Sequence, residues 1–296
     1  MKNMISKKDE NWKIVRNRVC IRALLIFLGA LLMQMLAYMI CMIVMTIHVT
    51  VFDKKNVEIL QQIAQANTKK GPFLIWVSFV SALLCLIWCG ILYKKSSWRV
   101  HPFSYKKAFA LKNCGILFST AVGGCIVLTA LLSIAGALFP KIFIQYNQVM
   151  DHLSADSIGI TMFYVLLVGP ISEEFIFRGA ILDRFHLAFP FWIANTLQAF
   201  LFGVYHMNLI QGLYAFLLGI LLGMIRYVTG TILANITAHI LFNGTSYAIS
   251  AISAVKGAAA PWITIVLFAV GIVLFLVGTA GLRKEYQKKM LREEQS

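Results

Sequence analysis

Eight long apolar stretches, joined by short polar connections, constrain what this chain can fold into. They lie near residues 21–46, 72–93, 114–138, 157–181, 189–207, 211–228, 230–252 and 261–282. An α-helix needs roughly 20 apolar residues to cross the hydrocarbon of a bilayer, and most of these stretches approach or exceed that length. The alternation of apolar and polar residues that is typical of a transmembrane β-barrel is not apparent. The sequence therefore predicts an all-α, polytopic transmembrane bundle of about eight spans.

The composition supports the same class of protein. The chain has 296 residues, of which 59% are hydrophobic and 13% are charged, and its mean hydropathy is +0.78. Soluble domains carry about 25% charged residues, so this chain is far too apolar for that class. Because no polar domain interrupts the apolar stretches, we expect residues 1–296 to form a single membrane domain. We expect a multi-pass integral protein of the cell membrane.

Basic residues predict the orientation of the chain. Lys and Arg concentrate in the tails at 1–20 and 283–296 and in the connection between the second and third stretches. Loops rich in Lys and Arg stay in the cytoplasm, so we expect both termini and these tails to be cytoplasmic. The net charge of +15 then reflects this orientation and an attraction to anionic membrane lipids. Nucleic acid is not an expected partner.

The fourth apolar stretch contains two acids and an arginine, which are costly inside a membrane and usually functional. Glu174 and Arg178 are four residues apart, the spacing of an ion pair on one face of a helix. Glu173 points about 100° away around the helix and is left without that partner. We therefore interpret Glu174 and Arg178 as a structural pair and Glu173 as a carboxylate that is free to act as a general base.

Three further polar residues lie in later apolar stretches: His206, His239 and Asn243. His239 and Asn243 are four residues apart, so an imidazole and an amide on one helix face can both donate to one oxyanion. Phe202 precedes His206 by four residues and is expected to pack beneath its ring. Each residue alone also fits a packing role, because polar side chains often join helices within membranes. Together with Glu173, they predict hydrolysis by an activated water molecule.

Pro170 precedes the acidic pair and removes one backbone donor from the fourth helix. The carbonyl of Leu166, four residues earlier, then needs another partner, because lipid offers none. A water-lined cavity or a simple packed kink both satisfy this requirement, and the neighbouring acids favour the cavity. We also expect the fourth helix to run on toward Phe185, since this extension moves Glu173 to the membrane depth of His206.

Three short motifs carry a resemblance to a known family. They are Glu173-Glu174-Phe-Ile-Phe-Arg178, Phe202-x-x-x-His206 and His239-x-x-x-Asn243. Their order and spacing resemble the intramembrane CAAX protease and bacteriocin-processing family, over a motif-bearing core at 157–252. The resemblance implies an endopeptidase of a membrane-associated or lipidated peptide or protein. In that family Glu173 would activate the water, His206 would position it, and His239 and Asn243 would hold the oxyanion.

The sequence leaves the cofactor and two other functions open. Glu173, His206 and His239 offer three ligands and an open fourth position for zinc, whereas a metal-free glutamate mechanism uses the same residues. Buried acids and histidines also occur in proton-coupled transporters. A third alternative is a non-catalytic membrane partner in immunity or signalling, which would keep the fold without the chemistry.

Overall fold

The chain folds into a bundle of long helices in the computed structural model, which describes residues 11–52, 71–95, 106, 109–144, 146–147, 158–256 and 261–295. No strand occurs in these residues. The helices are α1 Asn11–Phe52, α2 Gly71–Lys95, α3 Leu111–Leu138, α4 158–188, α5 Phe191–Tyr205, α6 Leu209–Thr229, α7 Ile232–Lys256 and α8 Pro261–Glu294. The all-α class predicted from the apolar stretches is thus confirmed.

Six of the described helices, α1, α2, α3, α4, α6 and α8, are long and apolar enough to cross a membrane. The helix α5 is apolar but shorter, at 15 residues. The helix α7 carries Asn235, His239 and Asn243, which lower its average hydropathy. A helical, multi-pass membrane bundle is therefore present, while the count of eight spans stays a prediction.

The helix α4 is continuous and contains two π-helical segments. Tyr164–Val168 precedes the short α-helical run Gly169–Glu174, and Phe175–Leu182 follows it. The helix ends at Ala188, so the expected extension toward Phe185 is confirmed. π-Helical turns close hydrogen bonds five residues apart instead of four, and they occur often at functional sites. Both acids of the predicted site lie at the end of the α-helical run between these two segments.

The helix α4 lies in the middle of the bundle. It packs against α1, α2, α5, α6 and α7. The helices α3 and α8 pack along each other, and α3 also contacts α7. Ile176, Phe177 and Arg178 of α4 are completely buried. Burial of this part of α4 lets neighbouring helices supply partners for Glu174 and Arg178.

Small residues and buried amides hold α5 against α6. Gly203 and Gly212 approach so closely that a Cβ on Gly203 would lie 2.6 Å from the Gly212 carbonyl oxygen. On the next turns, Asn195 donates to the Ile220 carbonyl at 3.0 Å and Gln198 donates to the Gly219 carbonyl at 2.9 Å. Close packing of small residues, together with side-chain hydrogen bonds, is how helices associate within membranes. This hairpin fixes the position of the short helix α5.

One end of the bundle gathers basic side chains. Arg226 of α6 forms an ion pair with Asp183 of α4 at 2.9 Å. Lys289 of α8 donates to the Tyr227 carbonyl at 2.7 Å, and Arg22 of α1 interacts with Arg184. The basic parts of α1 and α8 therefore lie at the end where α4 finishes. Residues 283–294 continue α8 as helix, and residues 1–10 are outside the described residues. A cytoplasmic location of this end stays a prediction.

We predict that Gly223→Ala destabilises the protein because the new methyl group would overlap the side-chain oxygen of Asn195. Overpacking of this kind costs about 1–3 kcal/mol, since the hydrogen-bonded amide has nowhere to move. Gly90→Ala is the matched control, because nothing lies within 4 Å of its Cβ position. Thermal unfolding in detergent micelles measures the difference. Equal unfolding midpoints for the two variants would contradict the close approach of α5 and α6.

Candidate active site

The turn between α4 and α5 brings Glu173 and His206 to the same depth. These residues stand the same number of positions before and after the turn at Phe189 and Pro190. Because the two helices run in opposite directions, equal separations along the chain place both residues at one level. His206 accordingly lies close enough to Glu173 and His239 to interact electrostatically with both. The structure thus brings together the acid and the two imidazoles.

Glu174 is the centre of a completely buried charge cluster. Its Oε1 atom accepts a hydrogen bond from Arg178 Nη1 at 2.8 Å. The same oxygen lies within hydrogen-bonding distance of His239 Nδ1, also at 2.8 Å. The side chains of Glu174 and Arg178 are 0% exposed. The ion pair expected from their spacing is therefore confirmed. The contact with His239 ties α7 to α4, and nothing in the local spacing of either helix predicts it.

Phe202 packs against the cluster from α5. Its ring lies under the Arg178 guanidinium, with Cζ 4.5 Å from the ring centroid, and makes an edge contact with His206 at 4.9 Å. The His239 ring is 6.1 Å away. A cation over an aromatic face is stabilised by the quadrupole of the ring, more so where water is absent. The expected packing of Phe202 beneath His206 is confirmed, and the ring also supports Arg178.

The hydrogen bond of His206 determines which of its nitrogen atoms is available. Its Nδ1 atom lies 2.8 Å from the carbonyl oxygen of Phe202. A carbonyl oxygen only accepts hydrogen bonds, so Nδ1 carries the proton. In the neutral imidazole, Nε2 is then an acceptor. His206 can therefore accept a hydrogen bond from a water molecule but, while neutral, cannot donate one through Nε2.

Glu173 differs from its neighbour in both exposure and partners. Its side chain is 14% exposed, and its Oε2 atom lies 3.7 Å from His239 Nε2. This distance is too long for a direct hydrogen bond. Arg178 pairs with Glu174 and not with Glu173. Glu173 is thus the acid of this pair that stays partly exposed and faces an imidazole without being locked to an arginine.

Asn243 contacts the backbone of α4. Its Nδ2 atom donates to the Val165 carbonyl oxygen at 2.8 Å. In the π-helical segment each N–H bonds to the carbonyl five residues earlier, as the Gly169 N–H does to the Tyr164 carbonyl. By the same spacing, the donor to the Val165 carbonyl would be the N–H of residue 170, which is a proline. Proline has none, and Asn243 supplies the missing donor. The sequence analysis expects the carbonyl without a backbone donor to be that of Leu166, because it assumes an uninterrupted α-helix. In the structure it is the Val165 carbonyl that Asn243 serves. One N–H of the amide remains for other contacts.

The three residues considered for zinc do not fit a three-ligand centre as they are placed. Among the described residues, no group of three or more His, Cys, Asp or Glu side chains is arranged to hold a metal ion. We therefore derive no chemical step through a metal.

Several polar residues that support the site were missed in the sequence. Gln198 bonds to Asn195 at 2.8 Å, and both Gln198 and Arg178 reach the Gly219 carbonyl, at 2.9 and 3.4 Å. Asn235 donates to the Leu222 carbonyl at 2.5 Å. Asn195 and Gln198 were detectable, because two amides three residues apart in an apolar stretch share a helix face. Their link to Arg178 depends on the pairing of α5 with α6 and has no local signal.

We predict that Glu174→Gln destabilises the protein by about 3–5 kcal/mol, because it leaves Arg178 and His239 buried without their carboxylate. Glu173→Gln removes the partly exposed acid and should change stability by less than about 1 kcal/mol. The two variants differ by one position and carry the same chemical change. Thermal unfolding of both proteins in the same detergent tests the assignment, and equal destabilisation would show that the two acids share one role.

We predict a second effect on stability from the pairing of Asn243 with the proline. Asn243→Leu should cost about 1–3 kcal/mol, because the Val165 carbonyl loses its donor. In a Pro170→Ala background the restored N–H can serve that carbonyl, so the same substitution should cost less. A double-mutant cycle on thermal unfolding measures the coupling. An unchanged cost in the alanine background would contradict the replacement of one donor by the other.

Comparison with known families supports an endopeptidase of the CAAX type in general. Residues 156–245 match the family model described as type II CAAX prenyl endopeptidase Rce1-like. The match includes α4, α5, α6 and the half of α7 that carries His239 and Asn243. A search of curated proteins and a search of solved structures found no match. The resemblance seen in the three motifs is confirmed: over residues 156–245, less than half of its length, the chain is similar to the Rce1-like CAAX endopeptidases, which supports an intramembrane protease.

Proposed function

We propose that the chain hydrolyses a peptide bond of a membrane-associated or lipidated peptide or protein, with Glu173 activating the attacking water. The observation that carries this proposal is the division of roles between adjacent acids. Glu174 is committed to Arg178 and His239, whereas Glu173 is partly exposed beside His239. A general base must reach water and must not be locked in a hydrogen-bonded ion pair. Glu173 meets both requirements.

The proposed water lies between Glu173 and the free Nε2 atom of His206. Glu173 removes one proton, and His206 accepts a hydrogen bond from the other O–H group. His206 is suited to this role because its Nδ1 proton is held by the Phe202 carbonyl. Two acceptors on one water molecule orient its lone pair toward a bound carbonyl carbon. Fixed orientation of the reacting groups accounts for a large part of the rate of many enzymes.

His239 and Asn243 are the proposed donors to the oxyanion. An imidazolium at His239 would balance the site, because two carboxylates would then face one arginine and one histidine cation. Buried charges are tolerated when they are paired in this way. With Nδ1 held by Glu174, Nε2–H is directed to the side of Glu173 and the substrate. The second N–H of the Asn243 amide is the further donor, since the first is bonded to Val165.

The proposed reaction balances with these groups alone. The water oxygen forms a bond to the carbonyl carbon while its proton passes to Glu173. The carbonyl oxygen becomes an oxyanion held by His239 and Asn243. When the C–N bond breaks, Glu173 returns the proton to the leaving amine and a carboxylic acid forms, which then ionises. Glu173 ends as a carboxylate, ready for another cycle. One acid thus serves first as base and then as acid.

We predict that Glu173→Gln lowers kcat by at least about 100-fold, because the amide cannot accept the proton from water. The assay uses purified protein in lipid vesicles and a fluorogenic peptide ending in a prenylated Cys-aliphatic-aliphatic-Xaa sequence. Glu285→Gln on α8 is the control, because this acid lies beside Lys112, at the basic end of the bundle. The control should keep wild-type kcat.

Full activity of Glu173→Gln would contradict the assignment of the base. The wild-type protein and Glu173→Gln could instead be equally inactive on prenylated and unmodified peptides. That result would favour one of the two alternative functions, a transporter or a non-catalytic membrane partner. Substrate flux across the vesicles would then favour a transporter, and retained partner binding in Glu173→Gln would favour a non-catalytic role.

A further inference from the structure

Three tyrosines lie within electrostatic range of Glu173 and have no role in the reaction described above. Tyr164, Tyr205 and Tyr214 each interact electrostatically with Glu173. Tyr205 also bonds to Gln34 of α1, and Tyr214 bonds to Gln211 one turn earlier on α6. The partner of Tyr164 is Ser78 of α2. Tyr164 is the one that shares a helix with Glu173, so its position follows directly from the backbone of α4.

The ring of Tyr164 lies along α4 in the direction of Glu173. A Cβ atom on Gly169 would be 3.4 Å from Tyr164 Cζ and 3.6 Å from its Cε1. The ring therefore lies beside Gly169, at ordinary van der Waals distance from a Cβ position there. Glu173 follows Gly169 by four residues, which places it one turn further along the same face.

The π-helical segment is what turns Tyr164 toward this face. In an uninterrupted α-helix, nine residues separate two side chains by about 180°, so Tyr164 would point away from Glu173. One residue inserted by a π turn reduces this angle to about 80°. The Gly169 N–H to Tyr164 carbonyl bond shows that the insertion lies between the two residues. The irregular backbone around Pro170 thus brings the phenol to the site.

Ser78 determines what the phenol can do there. A serine hydroxyl can donate its hydrogen bond to the phenol oxygen and leave the phenol proton for another acceptor. We propose that Tyr164 is a further catalytic residue, whose hydroxyl donates a hydrogen bond to the oxygen of the tetrahedral intermediate formed beside Glu173. Before the reaction it donates to the bound water. This inference rests on the proposed function and adds a donor from α4 to those from α7.

The test is Tyr164→Phe, which keeps the ring over Gly169 and removes only the hydroxyl. With the prenylated fluorogenic peptide, kcat should fall about 10–100-fold while KM changes less than about twofold, because the donor acts on the intermediate. Tyr247→Phe on α7 is the matched control, because among the described residues burial, and not the charge of Glu173, affects the Tyr247 phenol. It should keep wild-type kcat. Fluorotyrosine at position 164, which retains the hydroxyl, should restore most of the activity.

A second measurement needs no substrate. Dicyclohexylcarbodiimide reacts with protonated carboxyl groups, and a hydrogen bond relayed to a carboxylate favours its charged form. Tyr164→Phe should therefore label Glu173 about twofold to fivefold faster than the wild-type protein, as measured by mass spectrometry, and Tyr247→Phe should not. Unchanged kcat together with unchanged labelling would overturn the role of Tyr164.

The two measurements also separate this inference from the proposed function. If the wild-type protein cleaves no better than Glu173→Gln, the proposed peptidase fails and the labelling rates decide on Tyr164 alone. Equal rates would overturn its placement beside Glu173, and a faster rate in the variant would support that placement.

Discussion

The site depends on one completely buried interaction, the contact of Glu174 with both Arg178 and His239. An unpaired charge at this depth would cost several kcal/mol, so the three side chains stabilise one another or none is tolerated. Arg178 is held within α4 itself, whereas His239 comes from α7 and can reach Glu174 only when the helices are correctly aligned. The cluster therefore links local helix geometry to the packing of the bundle. It also fixes the ring of His239, whose other nitrogen faces Glu173.

The backbone of α4 contributes to the site through its irregularity. Pro170 removes a donor, the preceding turn widens into a π-helix, and Asn243 of α7 replaces the lost N–H at Val165. Within hydrocarbon each backbone carbonyl needs such a partner. The exchange has two effects that a regular helix would not give. The bond from Asn243 to Val165 is a second contact between α7 and α4, in addition to the contact of His239 with Glu174. The π-helical turn also rotates the residues before Gly169 around the helix axis relative to the acids that follow. Tyr164 and Glu173 are brought toward one another by that rotation.

The parts of the structure that the sequence predicts are those governed by short separations along one helix. The Glu174–Arg178 pair and the Phe202–His206 contact both follow from a four-residue spacing. The length of α4 also follows, because Glu173 and His206 must reach one level. The contact of His239 with Glu174 does not follow, since it depends on the alignment of α4, α6 and α7. That alignment involves Asp183 with Arg226 and Asn235 with the Leu222 carbonyl, pairs that are 43 and 13 residues apart in the chain and lie on different helices. The bond from Asn243 to Val165 was missed for a different reason. It requires the π-helical turn, and periodicity arguments assume a regular helix.

Two adjacent glutamates can serve opposite purposes because a helix separates neighbouring side chains by about 100°. One direction from α4 leads into the packed interface with α5 and α6, where Arg178 and Phe202 exclude water. The other leads to the partly exposed space beside His206 and His239. A structural acid must be permanently paired, and a base must be able to gain and lose a proton. A single carboxylate held by Arg178 could not do both, because the same pairing that makes it tolerable in the membrane would weaken it as a base. Placing the structural pair and the proposed base on consecutive residues lets the buried pair position the helix turn that carries Glu173.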